Sequence, residues 1–83
     1  MSEATTRIEQ RLANCLELAF PDLPPAEITN ASSGTVAGWD SVATLMLVST
    51  VEEEFGIMIG FDRVAELSSF VALRDFLEQK LAA

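Results

Sequence analysis

The stretch Gly38-Trp39-Asp40-Ser41-Val42 is the point where a glycine-containing loop ends and a long apolar helix begins. Asp40 is a good N-cap, because its carboxylate can accept a hydrogen bond from a backbone N–H of the first turn. Ser41 then lies where backbone N–H groups have no partner within the helix and the macrodipole makes the helix end electropositive. A phosphate-bearing group attached to Ser41 would meet a favourable field.

This central helix is predicted to run from Ser41 to Phe55, with Gly56 as its C-terminal cap. Its core-facing stripe follows the helical repeat and consists of Thr44, Leu47, Val48, Val51 and Phe55. A second apolar set, Val42, Leu45 and Met46, cannot face the same core. We expect these three side chains to form an exposed docking patch, and packing beneath the preceding loop is the alternative.

The chain before this stretch predicts one helix and one long loop. After a frayed segment at residues 1–5, Thr5 or Thr6 caps the first helix, which ends before Pro21 because the residue preceding proline avoids the helical region. The inner stripe of this helix is Ile8, Leu12, Cys15, Leu16 and Ala19. Residues 22–39 form the loop, with a short helical turn at residues 24–28.

The chain after the central helix predicts an extended connector over residues 57–61, a short helix over 62–67 and a closing helix capped by Ser68 or Ser69. The fold class is therefore all-α: one domain, 1–83, built as a bundle of three main helices plus one short helix. The predicted core is Ile8, Leu12, Leu16, Ile28, Thr44, Leu47, Val48, Val51, Phe55, Ile59, Val64, Leu67, Phe70, Leu73 and Leu77.

The net charge of −8 is concentrated in one window of the chain. No Lys or Arg lies between Leu12 and Asp62, whereas seven acids precede Asp62 in that window. They are Glu17, Asp22, Glu27, Asp40, Glu52, Glu53 and Glu54. This field disfavours nucleic acid and anionic membranes and favours basic protein surfaces, so we expect a protein partner.

The residue types needed for independent catalysis are missing from the sequence. There is no histidine, hence no Ser-His-Asp set, and there is neither a Cys/His cluster for a metal nor a glycine-rich phosphate loop. We therefore expect no enzyme, no catalytic residue and no metal site. The single cysteine, Cys15, excludes an internal disulfide and fits a small core residue in a reducing, cytoplasmic compartment.

Asp40-Ser41, followed by a helical run that closes in Glu52-Glu53-Glu54-Phe55-Gly56, resembles the acyl and peptidyl carrier proteins. In that family the serine after the aspartate receives a 4′-phosphopantetheine arm from coenzyme A, and the thiol of the arm carries an acyl or aminoacyl group as a thioester. The resemblance covers nearly the whole chain and implies a small four-helix carrier-protein bundle. It implies that Ser41 is the attachment site and that Asp40 helps a transferase to recognise it.

Two features of the resemblance favour an aminoacyl cargo over a fatty-acid or polyketide cargo. Trp-Asp-Ser is common among aminoacyl and peptidyl carriers, and Trp39 provides it here. Fatty-acid carriers usually have acids two and five residues after the serine, where this chain has Ala43 and Met46. We expect Trp39 to pack over the helix start and pin the loop, with a direct partner contact as the alternative.

The resemblance implies three kinds of partner: a phosphopantetheinyl transferase, a loading ligase or synthetase, and downstream acyl- or aminoacyl-transferring enzymes. The residues expected to guide them are Trp39, Val42, Leu45, Met46, Glu52 and Glu53. The chain itself is expected to be a monomer. Two alternatives remain: an unmodified acidic helical module for protein–protein interaction, and a phosphoprotein with phosphate on Ser41.

Overall fold

The computed structural model describes residues 3–82 and the side chains of residues 6–60 and 62–81. It contains three α-helices, α1 (Glu3–Ala19), α2 (Ser41–Phe55) and α3 (Phe70–Ala82). A first 3₁₀ helix (Pro25–Asn30) lies between α1 and α2, and a second (Phe61–Glu66) lies between α2 and α3. No β-strand occurs in the described range, so the predicted all-α class is confirmed; both short segments are 3₁₀ helices.

The core lies where α1 packs against both α2 and α3. All the predicted core residues are buried except Val64, which is half-buried and only borders the core. Cys15, predicted as a small core residue on the inner stripe of the first helix, is also buried, and Ala31 and Trp39 complete the core. The stripe predicted on α2 is therefore the face that packs on the bundle, and the opposite face of α2 is turned to solvent.

The start of α1 differs from the prediction. The helix already includes Glu3, so Thr5 and Thr6 lie within it and do not cap it, and residues 3–5 are helical and not frayed. Residues 1 and 2 lie outside the described residues. Both Glu and Ala have good helix propensity, which favours extending the first turn over starting it at a threonine. The end of α1, before Phe20 and Pro21, agrees with the prediction.

The loop between α1 and α2 is attached to the start of α3. Ser33 N–H donates to Ser68 O at 2.9 Å, and Phe70 N–H donates to Ala31 O at 2.9 Å. Ser69 caps α3, since its Oγ accepts a hydrogen bond from Ala72 N–H at 3.0 Å. These contacts fix the middle of the loop, so its last residues reach the start of α2 from a defined position.

Candidate functional site

Asp40 is the N-cap of α2. Its backbone is extended, and its Oδ1 accepts a hydrogen bond from Ala43 N–H at 2.8 Å. Its carbonyl oxygen accepts the first intrahelical bond, from Thr44 N–H at 2.9 Å. The predicted capping role of Asp40 is confirmed, and its side chain is exposed beside the helix start.

Ser41 is the first residue of α2, and its side chain is exposed. No described side chain or backbone group hydrogen-bonds to its Oγ. Exposure lets a large enzyme approach this hydroxyl, and the unpaired N–H groups of the first turn provide a positive electrostatic field for an attached phosphodiester. The position therefore fits the phosphate end of a 4′-phosphopantetheine arm.

Trp39 lies beneath the helix start and not on its surface. The side chain is only 4% exposed, its ring centroid is 5.0 Å from that of Phe20, and its Nε1–H donates to Thr44 Oγ1 at 2.8 Å. The prediction that Trp39 packs against the helix start is confirmed, but the indole lies on the core side of the start and not over it. The alternative, in which Trp39 guides a partner by direct contact, is wrong because burial removes the indole from the surface.

Thr44 is the residue of this site that the sequence analysis assigned only to the core. Its Oγ1 accepts from the indole of Trp39 and donates to Asp40 O at 3.0 Å, in addition to lying on the buried stripe. A hydroxyl on an otherwise apolar stripe, four residues after an N-cap, was the signal available in the sequence. This signal predicts a hydrogen bond from the threonine hydroxyl to the carbonyl oxygen of the N-cap residue. It does not identify the Trp39 indole as the second partner of the hydroxyl.

An open groove of about 500 Å³ adjoins Ser41, between the first turns of α2 and the second 3₁₀ helix. Leu45, Val64 and Ala65 contribute apolar surface to it, and Ser33 and Ser68 contribute polar surface. The groove is large enough to accommodate a small group beside the serine. Its lining combines apolar and polar residues.

Three apolar side chains next to Ser41 face solvent. Val42 is 64% exposed and Met46 is 65% exposed, while Leu45 is 37% exposed and also borders the groove. Packing of these residues beneath the preceding loop is therefore wrong. Their exposure provides the surface that the predicted docking patch needs; docking itself stays a prediction.

The three acids near the end of α2 have different surroundings. Glu52 is half-buried, and its Oε2 accepts a hydrogen bond from Ile59 N–H at 2.7 Å. Glu54 pairs with Arg11 at 2.8 Å. Glu53 is exposed and forms no ion pair among the described residues. Of the two acids predicted to guide partners, Glu53 presents its carboxylate to solvent, whereas Glu52 uses an oxygen to hold the connector after α2.

Cys15 lies in the core, as predicted. The side chain is 2% exposed. Burial is the largest of the causes that raise the pKa of the thiol; the nearby Glu54 carboxylate raises it too, Arg11 partly opposes both, and together they bring the pKa to about 11. A thiol with this pKa stays protonated at neutral pH, so it does not act as a nucleophile there.

Neither a metal-ligand cluster nor a membrane-spanning helix occurs among the described residues. They contain no group of three or more His, Cys, Asp or Glu side chains arranged to hold a metal ion. None of their helices has the length and apolar character required to cross a bilayer.

Comparisons of the chain with protein-family models, with curated proteins and with solved structures find no match. What can be inferred about function therefore comes from Asp40, Ser41 and the surface around them.

Proposed function

We propose that this protein is a carrier protein that is modified with 4′-phosphopantetheine on Ser41 and holds an acyl or aminoacyl group as a thioester for delivery to partner enzymes. The observation that carries the proposal is the placement of an exposed, unbonded Ser41 hydroxyl as the first residue of α2, directly after the Asp40 cap. The groove and the exposed apolar side chains on either side of Ser41 support it.

In this proposal the chain supplies the attachment point and its partners supply the chemistry. Ser41 Oγ attacks the phosphate attached to pantetheine in coenzyme A; the new P–O bond forms as the bond to adenosine 3′,5′-bisphosphate, the leaving group, breaks, and the serine proton goes to a base of the transferase. The transferase provides this base and the magnesium ion, since the chain has no histidine and no described side chain pairs with Ser41. Asp40 holds the first turn in place through its bond to Ala43 N–H. When bound, the arm supplies a thiol that forms a thioester.

The surface around Ser41 is suited to proteins that bind by apolar contacts. Val42, Leu45 and Met46 supply the contact area, and Glu53 contributes charge on the same helix. The cation-free, acidic window speeds encounter with basic partner surfaces. We propose that the transferase, a loading ligase or synthetase and the downstream transferring enzymes use this surface in turn.

We propose an aminoacyl cargo, because the chain has the sequence Trp-Asp-Ser and because positions 43 and 46 are occupied by Ala43 and Met46 and not by acidic residues. A partner that binds through Arg–carboxylate pairs near the serine would lose those contacts at both positions. A partner with an apolar binding surface would instead gain Met46, which is 65% exposed. The proposal places a monomeric carrier in the cytoplasm, where Cys15 stays reduced.

The proposal is tested by intact mass spectrometry before and after incubation with coenzyme A and a broad-specificity phosphopantetheinyl transferase. We expect the wild-type protein to gain the mass of one arm and Ser41→Ala to gain none. Circular dichroism of both proteins verifies that they are folded, and the starting mass shows whether the arm is already present. A folded, unmodified wild type that gains no mass would refute the carrier role and leave the acidic interaction module as the better account.

A further inference from the structure

Thr44 connects three parts of the site through one buried hydroxyl. Its Oγ1 accepts the indole N–H of Trp39 at 2.8 Å and donates to the carbonyl oxygen of Asp40 at 3.0 Å. The side chain is 6% exposed, so water does not compete for these bonds. The backbone N–H of Thr44 also donates to the carbonyl oxygen of Asp40, at 2.9 Å. The backbone and the side chain of Thr44 therefore both hold this carbonyl group.

The carbonyl that receives these two bonds belongs to the peptide group joining Asp40 to Ser41. Because that peptide is planar, fixing its oxygen fixes the position of the Ser41 nitrogen and limits where the serine Cα and Oγ can lie. On the outer side, Asp40 Oδ1 is fixed by Ala43 N–H. The backbone that precedes Ser41 is thus held on the solvent side and on the core side.

Trp39 extends the constraint into the long loop. Its backbone N–H donates to Val36 O at 3.2 Å, and its indole ring packs on Phe20 just after the end of α1. The next residue back, Gly38, has φ +86°, a left-handed conformation that favours glycine and turns the chain into the site. The hydrogen bonds from Trp39 to Thr44 and from Thr44 to Asp40 therefore make the position of the backbone before Ser41 depend on the position of the loop.

We infer that Thr44 and Trp39 are positioning residues, which hold Ser41 in the orientation that the transferase requires. This inference rests on the proposed function. A fixed nucleophile reacts faster because the enzyme does not have to select one orientation from many, and a misplacement of about 1 Å can reduce the rate by about 100-fold. Docking should depend on the exposed patch and not on these buried side chains.

The chain offers a matched control. Thr50 is on the same helix, and its Oγ1 donates to Met46 O at 3.1 Å, which is the same type of bond to the carbonyl four residues earlier. It has no bond to Trp39 or Asp40. Thr50→Val therefore removes a hydroxyl and a back-bond from α2 without altering the contacts that lead to Ser41.

The test is steady-state kinetics of Ser41 modification by the transferase and coenzyme A, for wild type, Thr44→Val, Thr44→Ser and Thr50→Val, at a temperature where all are folded. For Thr44→Val we expect kcat to fall by about 10- to 100-fold while KM for the carrier stays within about twofold. Thr44→Ser, which keeps the hydroxyl, and Thr50→Val should retain the wild-type kcat. Equal kcat values for Thr44→Val and Thr50→Val would overturn the inference.

Fluorescence adds a readout that does not depend on the reaction, because Trp39 is the only tryptophan and the chain has no tyrosine. Its emission should change in Thr44→Val and not in Thr50→Val. If Thr44→Val does not fold, Trp39→Phe replaces it, since that variant keeps an aromatic ring on the side of Phe20 while it loses the N–H donor together with part of the indole volume; an unchanged kcat would then overturn the inference. A wild type that is not modified at all instead refutes the proposed function.

Discussion

The two ends of α2 are held in opposite ways. At the first turn, the contact that joins the turn to the loop lies inside, where Thr44 connects the buried Trp39 to the backbone of Asp40, while the outer face carries the local Asp40 cap and is otherwise exposed. At the last turn, the contacts come from outside. The Arg11 guanidinium of α1 lies 4.4 Å from the centroid of the Phe55 ring and donates both to the Glu54 carboxylate and to the Glu54 carbonyl oxygen.

This difference separates stability from proposed function along a single helix. The last turn is covered by Arg11 and followed by Gly56 at φ +65°, and Glu52 holds the connector through Ile59 N–H. The first turn keeps the Ser41 hydroxyl and the apolar patch of Val42, Leu45 and Met46 accessible. Substitutions in the last turn should therefore mainly change folding, and exposed substitutions in the first turn should mainly change modification.

The largest effect is expected for Phe55→Ala. Phe55 is buried and covered by Arg11, so truncation leaves a cavity and should reduce the free energy of unfolding by about 3 to 5 kcal/mol. The matched change at the other end, Val42→Ala, removes an exposed side chain and should change the unfolding free energy by less than about 0.5 kcal/mol. Urea unfolding of both variants measures this, and similar losses for both would contradict the comparison.

Local signals explain what could be predicted from the sequence. Asp40 and Gly56 mark the two ends of α2 with a cap each, and both boundaries agree with the structure. The start of α1 could not be predicted in the same way, because two threonines resembled caps while the residues before them also favour a helix. The sequence thus determined the helix that carries the site better than the helix that supports it.

The contacts that distinguish the two ends of α2 were beyond sequence reasoning. Arg11 and Glu54 are 43 positions apart, and nothing in their neighbourhoods identifies them as partners. The burial of Trp39 depends on the loop path, which the hydrogen bonds between residues 31–33 and the start of α3 determine. The Arg11–Glu54 contact and the burial of Trp39 are both consequences of tertiary packing, which cannot be predicted from the periodicity of single segments.

The next effect tests whether the packed core beside the last turn shields the Cys15 thiol. Burial, with a further contribution from Glu54, raises the pKa of the Cys15 thiol from 9.0 to about 11. Between these values the unfolded chain loses its thiol proton while the folded chain keeps it, so the unfolded state binds fewer protons and stability falls as pH rises. Below pH 9 this loss is absent.

Urea unfolding of reduced wild type and of Cys15→Ala at pH 8 and pH 10.5 measures this loss of stability. We expect the free energy of unfolding of wild type to fall by about 1 to 2 kcal/mol more than that of Cys15→Ala over this range, because the other titrating groups are shared. An equal fall in both proteins would show that the thiol is not shielded. The alanine variant also corrects for any general alkaline destabilisation.

The smallest effect on stability, and the sharpest test of the comparison, comes from the two caps. Asp40→Ala removes the acceptor for Ala43 N–H, and Gly56→Ala places a side chain at φ +65°; each should cost about 1 kcal/mol of unfolding free energy. A Cβ at Gly56 would meet no atom within 4 Å, so its cost arises from the backbone alone. The two variants therefore match in stability and differ in the end of α2 that they change.

Modification kinetics then separate the two ends. Asp40→Ala should slow the transferase reaction, because the Asp40 carboxylate fixes the turn that presents Ser41, whereas Gly56→Ala should keep the wild-type rate at temperatures where it is folded. Asp40→Asn, which retains a capping oxygen, should recover the stability; its rate shows whether the transferase also requires the negative charge. Equal slowing by Asp40→Ala and Gly56→Ala would mean that modification depends on the stability of α2 as a whole and not on its first turn.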